Sequence, residues 1–202
     1  MPPSMPPIAM QRIDGGPEIN AWVVVQPDDR VIVRIARSEM GQGTLTGLAQ
    51  LVCEELECDW SKVTTEYPTP GQNLARNRVW GNFATGGSRG IRESHDYVRK
   101  AGAVARMLLV QAAAQAWGVS AEECEASRSV ILHRPSGRTT TFGQVSAAAS
   151  KLSVPTEVRL KDPKDWKPVK RPALPAWPKT VTWVMTRPNT QNASTQITYN
   201  GP

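Results

Sequence analysis

The chain has 202 residues, 40% of them hydrophobic, and this length and composition suit one ordinary domain with flanking segments. The formal net charge is +6, but residues 161–202 alone contribute +5, because they hold seven Lys or Arg and two Asp. The positive charge therefore lies in a proline-rich tail and not on a predicted helix or sheet, so we expect no nucleic-acid partner.

Cysteine content and hydropathy exclude further classes. Cys53, Cys58 and Cys124 form no C-x-x-C pair, and only two histidines accompany them, so we expect no metal site built from protein ligands. No segment reaches the roughly 18 apolar residues that a membrane span needs, and the N-terminus lacks the pattern of a signal peptide. We expect no membrane contact and a cytoplasmic location, or a periplasmic one if the N-terminus is incomplete.

A β-hairpin and a helix are the first predicted elements. Two β-branched runs, Ala21–Val25 and Val31–Ile35, flank a polar turn that contains Pro27. After Gly41-Gln-Gly43, apolar residues at three- and four-residue steps predict a helix: Leu45, Leu48, Leu51, Val52 and Leu56. We expect the acidic residues of this helix to face solvent: Glu54, Glu55 and Glu57.

The middle of the chain predicts a strand, a loop and a long helix. The strand is expected over Val63–Tyr67, and the polar stretch from Pro68 to Ala84 is predicted to be a loop. Loops of this length inside a compact domain are uncommon and often functional. Thr85-Gly-Gly-Ser88 then begins the longest helix, predicted at about Arg89–Trp117 and ended by Gly118.

The remaining elements complete an α+β fold. A capping box at Ser120 predicts a short helix, Ser129–His133 and Thr139–Phe142 a second hairpin, and Gly143–Leu152 a last helix. This order favours a mixed β-sheet with helices packed on one face. We expect a flexible segment at residues 1–18, a folded domain at 19–155, and a proline-rich, disordered or extended tail at 156–202.

Two glycine-containing elements before helices supply the candidate binding residues. They are Gly41, Gln42, Gly43, Thr85, Gly86, Gly87 and Ser88. Backbone N–H groups and the dipole at a helix N-terminus favour an anion, and polar side chains beside glycines suit a ligand with phosphates and a flat heterocycle. Neither element has the spacing of a P-loop or a dinucleotide fingerprint. The alternative is that each is an ordinary glycine turn before a helix; a shared site requires the two helix N-termini to converge.

Other residues near these elements invite a role. Basic residues follow the second glycine element, and Arg89 in the first helical turn is the best placed of them to meet a phosphate. Three tryptophans, Trp60, Trp80 and Trp117, are predicted to pack in the core. We expect three others in the tail to lack a structured neighbour: Trp166, Trp177 and Trp183.

Several motifs together resemble a known family. Ser38-Glu-Met-Gly-Gln-Gly-Thr44 resembles the molybdenum-cofactor-binding region of the xanthine dehydrogenase and aldehyde oxidase family. Asp59-Trp-Ser-Lys-Val63, Thr85–Ser88 and Arg99–Ala105 are similar to the branch formed by isoquinoline 1-oxidoreductase β-subunits. The resemblance covers about Asn20 to Pro172, and this domain comes first in that large subunit.

The resemblance implies a cofactor and partners. It implies a molybdenum–pterin cofactor, usually the cytosine dinucleotide in bacterial members, and oxidation of N-heterocycles or aldehydes with oxygen from water. Molybdenum would be held by the dithiolene of the pterin. Gln42 would bind the cofactor, and Thr85 and Ser88 would reach its pyrophosphate and pterin side. The implied partners are the remainder of the large subunit, which shares the cofactor, and a small iron–sulfur subunit.

The chain also departs from the family pattern. The catalytic glutamate of the family lies near the far end of a much longer subunit, and no segment here matches it, so we assign no catalytic residue. After Pro172 the sequence no longer resembles the family, as a frameshift or an early stop would produce. We therefore expect a cofactor-binding part of a hydroxylase that is inactive alone. The alternative is a stand-alone cofactor-binding or accessory protein without catalysis.

Overall fold

The computed structural model describes residues 16–166 and, as backbone only, two strands at 180–186 and 194–200. The chain divides into two compact units, Met1–Val169 and Lys170–Pro202.

A four-stranded mixed sheet forms the centre of the first unit. Its order is β1 (Glu18–Asn20), β2 (Val23–Val25), β3 (Val31–Arg34) and β4 (Val63–Glu66). The first three strands are antiparallel neighbours, and β4 runs parallel to β3. The predicted hairpin is confirmed. Val23–Val25 and Val31–Val33 are continuous β-branched runs, as expected for strands that are buried throughout their length.

A second, three-stranded antiparallel sheet follows the long helix. It consists of β5 (Cys124–Ser127), β6 (Val130–His133) and β7 (Thr139–Thr141). The predicted second hairpin is confirmed as β6–β7. The helix predicted at Ser120 is instead a 3-10 turn of three residues, and the strand β5 that follows it was not predicted. Side-chain burial alternates along β5 with the two-residue period of a strand. These residues therefore form a strand and do not continue a helix from Ser120.

The described residues of the first unit also contain four α-helices: α1 (Thr44–Leu56), α2 (Pro70–Ala75), α3 (Arg89–Trp117) and α4 (Phe142–Ala149). Helix α3 has the predicted bounds and ends at Gly118, whose positive φ of 67° closes the last turn. Helix α2 lies in the stretch predicted to be a loop. It forms because Thr69 and Gln72 make a capping box, with Pro70 in the first turn.

The main core lies between the helices and the first sheet. The strand residues in this core include Val23, Val25, Val31 and Val33, and the helical ones include Leu48, Val52, Leu108 and Leu109. Helices α1 and α3 touch at backbone distance, since an ideal Cβ on Gly102 would lie 2.6 Å from the carbonyl oxygen of Val52. The α+β fold with a mixed sheet and packed helices is confirmed. The boundaries at residues 18 and 155 stay predictions.

The acidic residues of α1 do not face solvent, so that prediction was wrong. Glu55 is fully buried, and its carboxylate accepts hydrogen bonds from Arg99 Nε at 2.8 Å, Arg99 Nη2 at 2.6 Å and the backbone N–H of Lys161 at 3.1 Å. The Lys161 ammonium lies 2.5 Å from Glu57 and 3.5 Å from Glu54. The spacing of apolar residues reveals one buried face of α1. A second face is buried because its carboxylates pair with basic residues that are distant in the sequence.

Trp166 also differs from its prediction. Its ring covers the guanidinium of Arg99, with the guanidinium carbon 4.9 Å from the ring centroid. It therefore has a structured neighbour. Trp177 lies outside the described residues, and Trp183 lies in a strand of which only the backbone is described. Trp80 is buried, and Trp60 and Trp117 pack against the core, as predicted.

The second unit contains an antiparallel pair, β8 (Thr180–Thr186) and β9 (Ser194–Asn200), in which Trp183 lies opposite Ile197. The strands are extended, as expected for the tail, but their pairing was not predicted. Residues 1–15 and 167–179, which belong to the predicted flexible segment and tail, lie outside the described residues. Of the helices that the structure describes, none has both the length and the hydropathy to cross a membrane.

Candidate functional site

The two glycine elements lie side by side. An ideal Cβ on Gly90, in the first turn of α3, would lie 2.7 Å from Oγ1 of Thr44, the first residue of α1. About two turns further along α1 and three turns further along α3, Val52 contacts Gly102. Contacts advance in the same direction along both helices, so the helices run parallel and their N-termini point the same way. The convergence that a shared site requires is observed.

Hydrogen bonds join the residues just before the first glycine element to the region of the second. The backbone N–H of Ser38 donates to Thr85 Oγ1 at 2.9 Å. Arg37 is buried three residues after the end of β3, and its guanidinium donates to the carbonyl of Ala84 at 2.5 Å and to Ser94 Oγ at 3.1 Å. Arg37 was not among the predicted site residues. A charged residue that follows the apolar pair Ile35 and Ala36 was the signal that could have revealed it, since a buried cation needs partners.

Glu39 occupies the amino end of α1. Its Oε1 accepts hydrogen bonds from the backbone N–H groups of Gly41 at 2.8 Å and Gly43 at 2.9 Å, and its Oε2 accepts one from Leu45 at 2.9 Å. Gly41 and Gly43 have φ values of 91° and 79°, which let the chain wrap around the carboxylate. The bonds from Leu45 and then Gly43 lower the pKa of Glu39 below its usual range. The backbone N–H groups of Gly41, Gly43 and Leu45 are therefore already bonded within the chain, which was not predicted from the sequence.

The Gln42 side chain is also used within its own turn. Its Oε1 accepts a hydrogen bond from the backbone N–H of Met40 at 2.5 Å, and its Nε2 donates to the carbonyl of Ser38 at 2.8 Å. These bonds hold the amide against the loop between β3 and α1. The predicted role of Gln42 in binding a cofactor stays a prediction.

The amino end of α3 is open. Ser88 precedes the helix with a φ of 56°, and its side chain makes no capping hydrogen bond, although the backbone N–H of Arg89 donates to the carbonyl of Gly86 at 3.1 Å. Gly86, Gly87 and Ser88 are exposed, and nothing lies within 4 Å of an ideal Cβ on Gly86. A ligand can therefore approach the backbone closely here. The dipole of a 29-residue helix favours an anion at this end.

Positive charge is concentrated beside the open end. The carboxylate of Glu93 lies 3.6 Å from Arg89, 3.8 Å from Arg92 and 3.7 Å from Arg37. Three guanidinium groups thus share one carboxylate, which leaves a net charge of about +2 near the first turn of α3. Of the other basic residues that follow this element, Arg99 is not available to a phosphate because it is buried against Glu55.

The polar stretch after β4 is fixed to the first sheet. Trp80 is buried and donates from Nε1 to the carbonyl of Ala21 at 3.1 Å. The guanidinium of Arg76 pairs with Glu18 and lies 5.3 Å from the Trp80 ring centroid. The stretch therefore presents Leu74 and Val79 to solvent from an anchored position.

Known proteins match this chain. The family model described as "Molybdopterin cofactor-binding domain" matches residues 3–197. The chain belongs to this family. The match extends past Pro172, where the sequence analysis found no further resemblance. The resemblance to the xanthine dehydrogenase and aldehyde oxidase family is confirmed, and the chain is a molybdopterin cofactor-binding domain of the molybdenum hydroxylase type.

Two curated relatives are similar over most of this chain. The isoquinoline 1-oxidoreductase subunit beta of Brevundimonas diminuta is 36% identical over 151 residues, which are 72% of this chain and 19% of that protein. The membrane-bound aldehyde dehydrogenase [pyrroloquinoline-quinone] of Gluconacetobacter polyoxogenes is 34% identical over 134 residues, which are 66% of this chain and 16% of that protein. The chain spans less than a fifth of the length of these relatives.

Solved structures show weaker similarity. Reconstituted CO dehydrogenase from Oligotropha carboxidovorans aligns with a TM-score of 0.47 and 20% identity, over 62% of this chain and 15% of that one. Quinoline 2-oxidoreductase from Pseudomonas putida 86 aligns over the same shares with a TM-score of 0.41 and 18% identity.

The two elements suit different chemical groups. The exposed glycines, open helix end and surrounding arginines at Thr85–Ser88 suit the negatively charged phosphates. The amino end of α1 does not suit a second anion, because the Glu39 carboxylate already takes three of its N–H groups. Gly41 and Gly43 have nothing within 4 Å of an ideal Cβ, so this turn leaves room for an uncharged, flat group.

Proposed function

We propose that this domain binds the molybdenum–pterin cofactor in its cytosine dinucleotide form. The observation that carries the proposal is the parallel pair α1 and α3, whose N-termini lie together with an open, positively charged end on α3. Thr85, Gly86, Gly87 and Ser88 bind the pyrophosphate. Gly41, Gln42 and Gly43 face the pterin side.

The residues of this domain bind and orient the cofactor. Backbone N–H groups at the start of α3 hold the phosphates, and Arg89 contributes charge from the first turn. When bound, the molybdenum–pterin group supplies the redox chemistry of hydroxylation. Proton transfer at the reacting oxygen needs a positioned base, and we assign that base to the remainder of the large subunit.

The domain acts as part of a larger assembly. We propose that its partners are the remainder of the large subunit and a small iron–sulfur subunit, without nucleic acid or membrane, in the cytoplasm. The substrates are N-heterocycles or aldehydes, oxidised with oxygen from water. The chain alone holds cofactor but is inactive, because the other side of the cofactor pocket and the base belong to the remainder of the subunit.

Cofactor loading tests this function. The chain is purified from a host that makes the cytosine dinucleotide cofactor, and molybdenum is measured by mass spectrometry. We expect bound molybdenum, and cytidine monophosphate after acid hydrolysis. Arg89→Gln should retain less molybdenum than the unchanged chain, and Arg159→Gln, which removes an exposed charge elsewhere, should retain the same amount.

Three outcomes would contradict the proposal. A folded chain without molybdenum or nucleotide would contradict the cofactor site, and release of a different nucleotide would contradict the cytosine form. Oxidation of an aldehyde or an N-heterocycle by the loaded chain alone would contradict its inactivity.

A further inference from the structure

Glu39 lies where an anion bound at the amino end of α1 would lie. Its two carboxylate oxygens accept three backbone hydrogen bonds, at 2.8 Å from Gly41, 2.9 Å from Gly43 and 2.9 Å from Leu45. This is the donor geometry that helix N-termini offer to phosphates. The chain thus supplies its own anion at the first glycine element.

We propose that Glu39 is a positioning residue of the cofactor site that closes the amino end of α1 to phosphate and fixes the Gly41–Gly43 turn. A second anion there would displace Glu39 or meet its charge at close range. The phosphates of a ligand therefore bind at Thr85–Ser88 alone. This inference rests on the proposed cofactor function. It assigns the orientation of the ligand, with the phosphates at the second glycine element and an uncharged part at the first.

The same carboxylate sets the place of Gln42. Gln42 lies between the two glycines whose N–H groups donate to Glu39. The hydrogen bonds that join the Gln42 side-chain amide to Met40 and Ser38 depend on the shape of that turn. Without Glu39, the positive φ of Gly41 and Gly43 is no longer fixed by a shared acceptor. Glu39 thus acts on the ligand through Gln42 and the turn, and not by touching it.

Pyrophosphate titration of the ¹⁵N-labelled full chain, without cofactor, tests the inference. In the unchanged chain, we expect amide shifts at Gly86, Gly87, Ser88 and Arg89 and none at Gly41, Gly43 or Leu45. In Glu39→Ala, pyrophosphate should also shift the amides of Gly41, Gly43 and Leu45. Their exchange with water before ligand is added should rise at least fivefold, because their acceptor is gone.

Two further variants make the result specific. Glu39→Gln keeps one carbonyl oxygen for Gly41 and Gly43 but offers Leu45 no acceptor, so exchange should rise most at Leu45. It also keeps the fold testable if Glu39→Ala does not fold. Glu157→Ala removes an exposed carboxylate elsewhere and should leave the exchange rates and the pyrophosphate shifts unchanged.

Pyrophosphate shifts at Gly43 and Leu45 in the unchanged chain would overturn the inference. So would the absence of new shifts there in both Glu39 variants. Failure of the proposed cofactor function has a different signature, namely a purified chain without molybdenum whose pyrophosphate shifts and exchange rates still follow the expected pattern.

Discussion

The amino ends of α1 and α3 begin after glycine turns, lie next to each other and point the same way, yet they meet solvent under opposite charge. At α1, Glu39 takes the N–H groups of Gly41, Gly43 and Leu45. At α3, the Ser88 side chain makes no capping hydrogen bond, and three arginines surround the single carboxylate of Glu93. A glycine turn before a helix therefore does not by itself make an anion site. Whether such a turn can bind an anion depends on whether a side chain of the protein already accepts the hydrogen bonds of its N–H groups.

The largest expected effect comes from breaking the helix pair that brings the two ends together. Glu55→Ala removes the fully buried carboxylate between α1 and α3 and leaves Arg99 buried without its counter-charge. We expect the free energy of unfolding to fall by about 3–5 kcal/mol. Chemical denaturation measures this loss, and Glu157→Ala serves as an exposed control that should change it by less than about 0.5 kcal/mol. A loss near the control value would mean that the pair does not hold the helices together.

A smaller break targets the contact between the two ends themselves. Gly90→Ala places a Cβ 2.7 Å from Thr44 Oγ1 and 2.8 Å from its Cγ2. We expect destabilisation by about 1–3 kcal/mol from overpacking, although alanine alone would favour the helix by about 1 kcal/mol. Thermal or chemical denaturation checks the sign. In the Thr44→Ala background, which removes both atoms, Gly90→Ala should become stabilising. If Gly90→Ala stabilises the chain that keeps Thr44, the two ends do not approach this closely.

The smallest effect sharpens the difference in charge between the ends. Hydrogen bonds from Leu45 and Gly43 lower the pKa of Glu39 in the folded chain. Its contribution to stability is therefore complete above the pKa of an unfolded glutamate, about 4.3, and is lost as the pH falls through the lower folded pKa. A side-chain NMR titration should place the midpoint of Glu39 below the ordinary value of a glutamate, about 4.3. The Gly43 amide should follow the Glu39 midpoint in the unchanged chain and lose that titration in Glu39→Gln. A Glu39 midpoint at or above the ordinary value would contradict the bonded carboxylate.

Local signals carried much of the fold. The β2–β3 hairpin and the bounds of α1 and α3 could be predicted because hydrophobic period, turn residues and Gly118 act over a few neighbouring positions. Strand β5 was missed because four residues of alternating burial between two turns give a weak period.

The errors at charged residues have a different cause. A glutamate on a helix was taken as exposed, but Glu55 is buried by partners 44 and 106 positions away, which no local pattern shows. Glu39 lies within the Ser38–Thr44 motif. Its position a few residues before α1 was a usable signal that its carboxylate could accept hydrogen bonds from the backbone there. The glycines predicted which backbone N–H groups matter, whereas the acceptor that takes three of them is the adjacent acid.

The contacts of Arg99 with Lys161 and Trp166 have a consequence for the order of folding during synthesis. Arg99 donates to the carbonyl of Lys161, 62 positions later, and Trp166 covers its guanidinium. At about 5–20 residues per second, a ribosome needs roughly 3–12 s to pass from one to the other. During that interval, water solvates the side of the Arg99 guanidinium that Lys161 and Trp166 later cover. The nascent domain thus has α1 and α3 available well before the segment that seals them, and its last folding step waits for residues beyond its final helix.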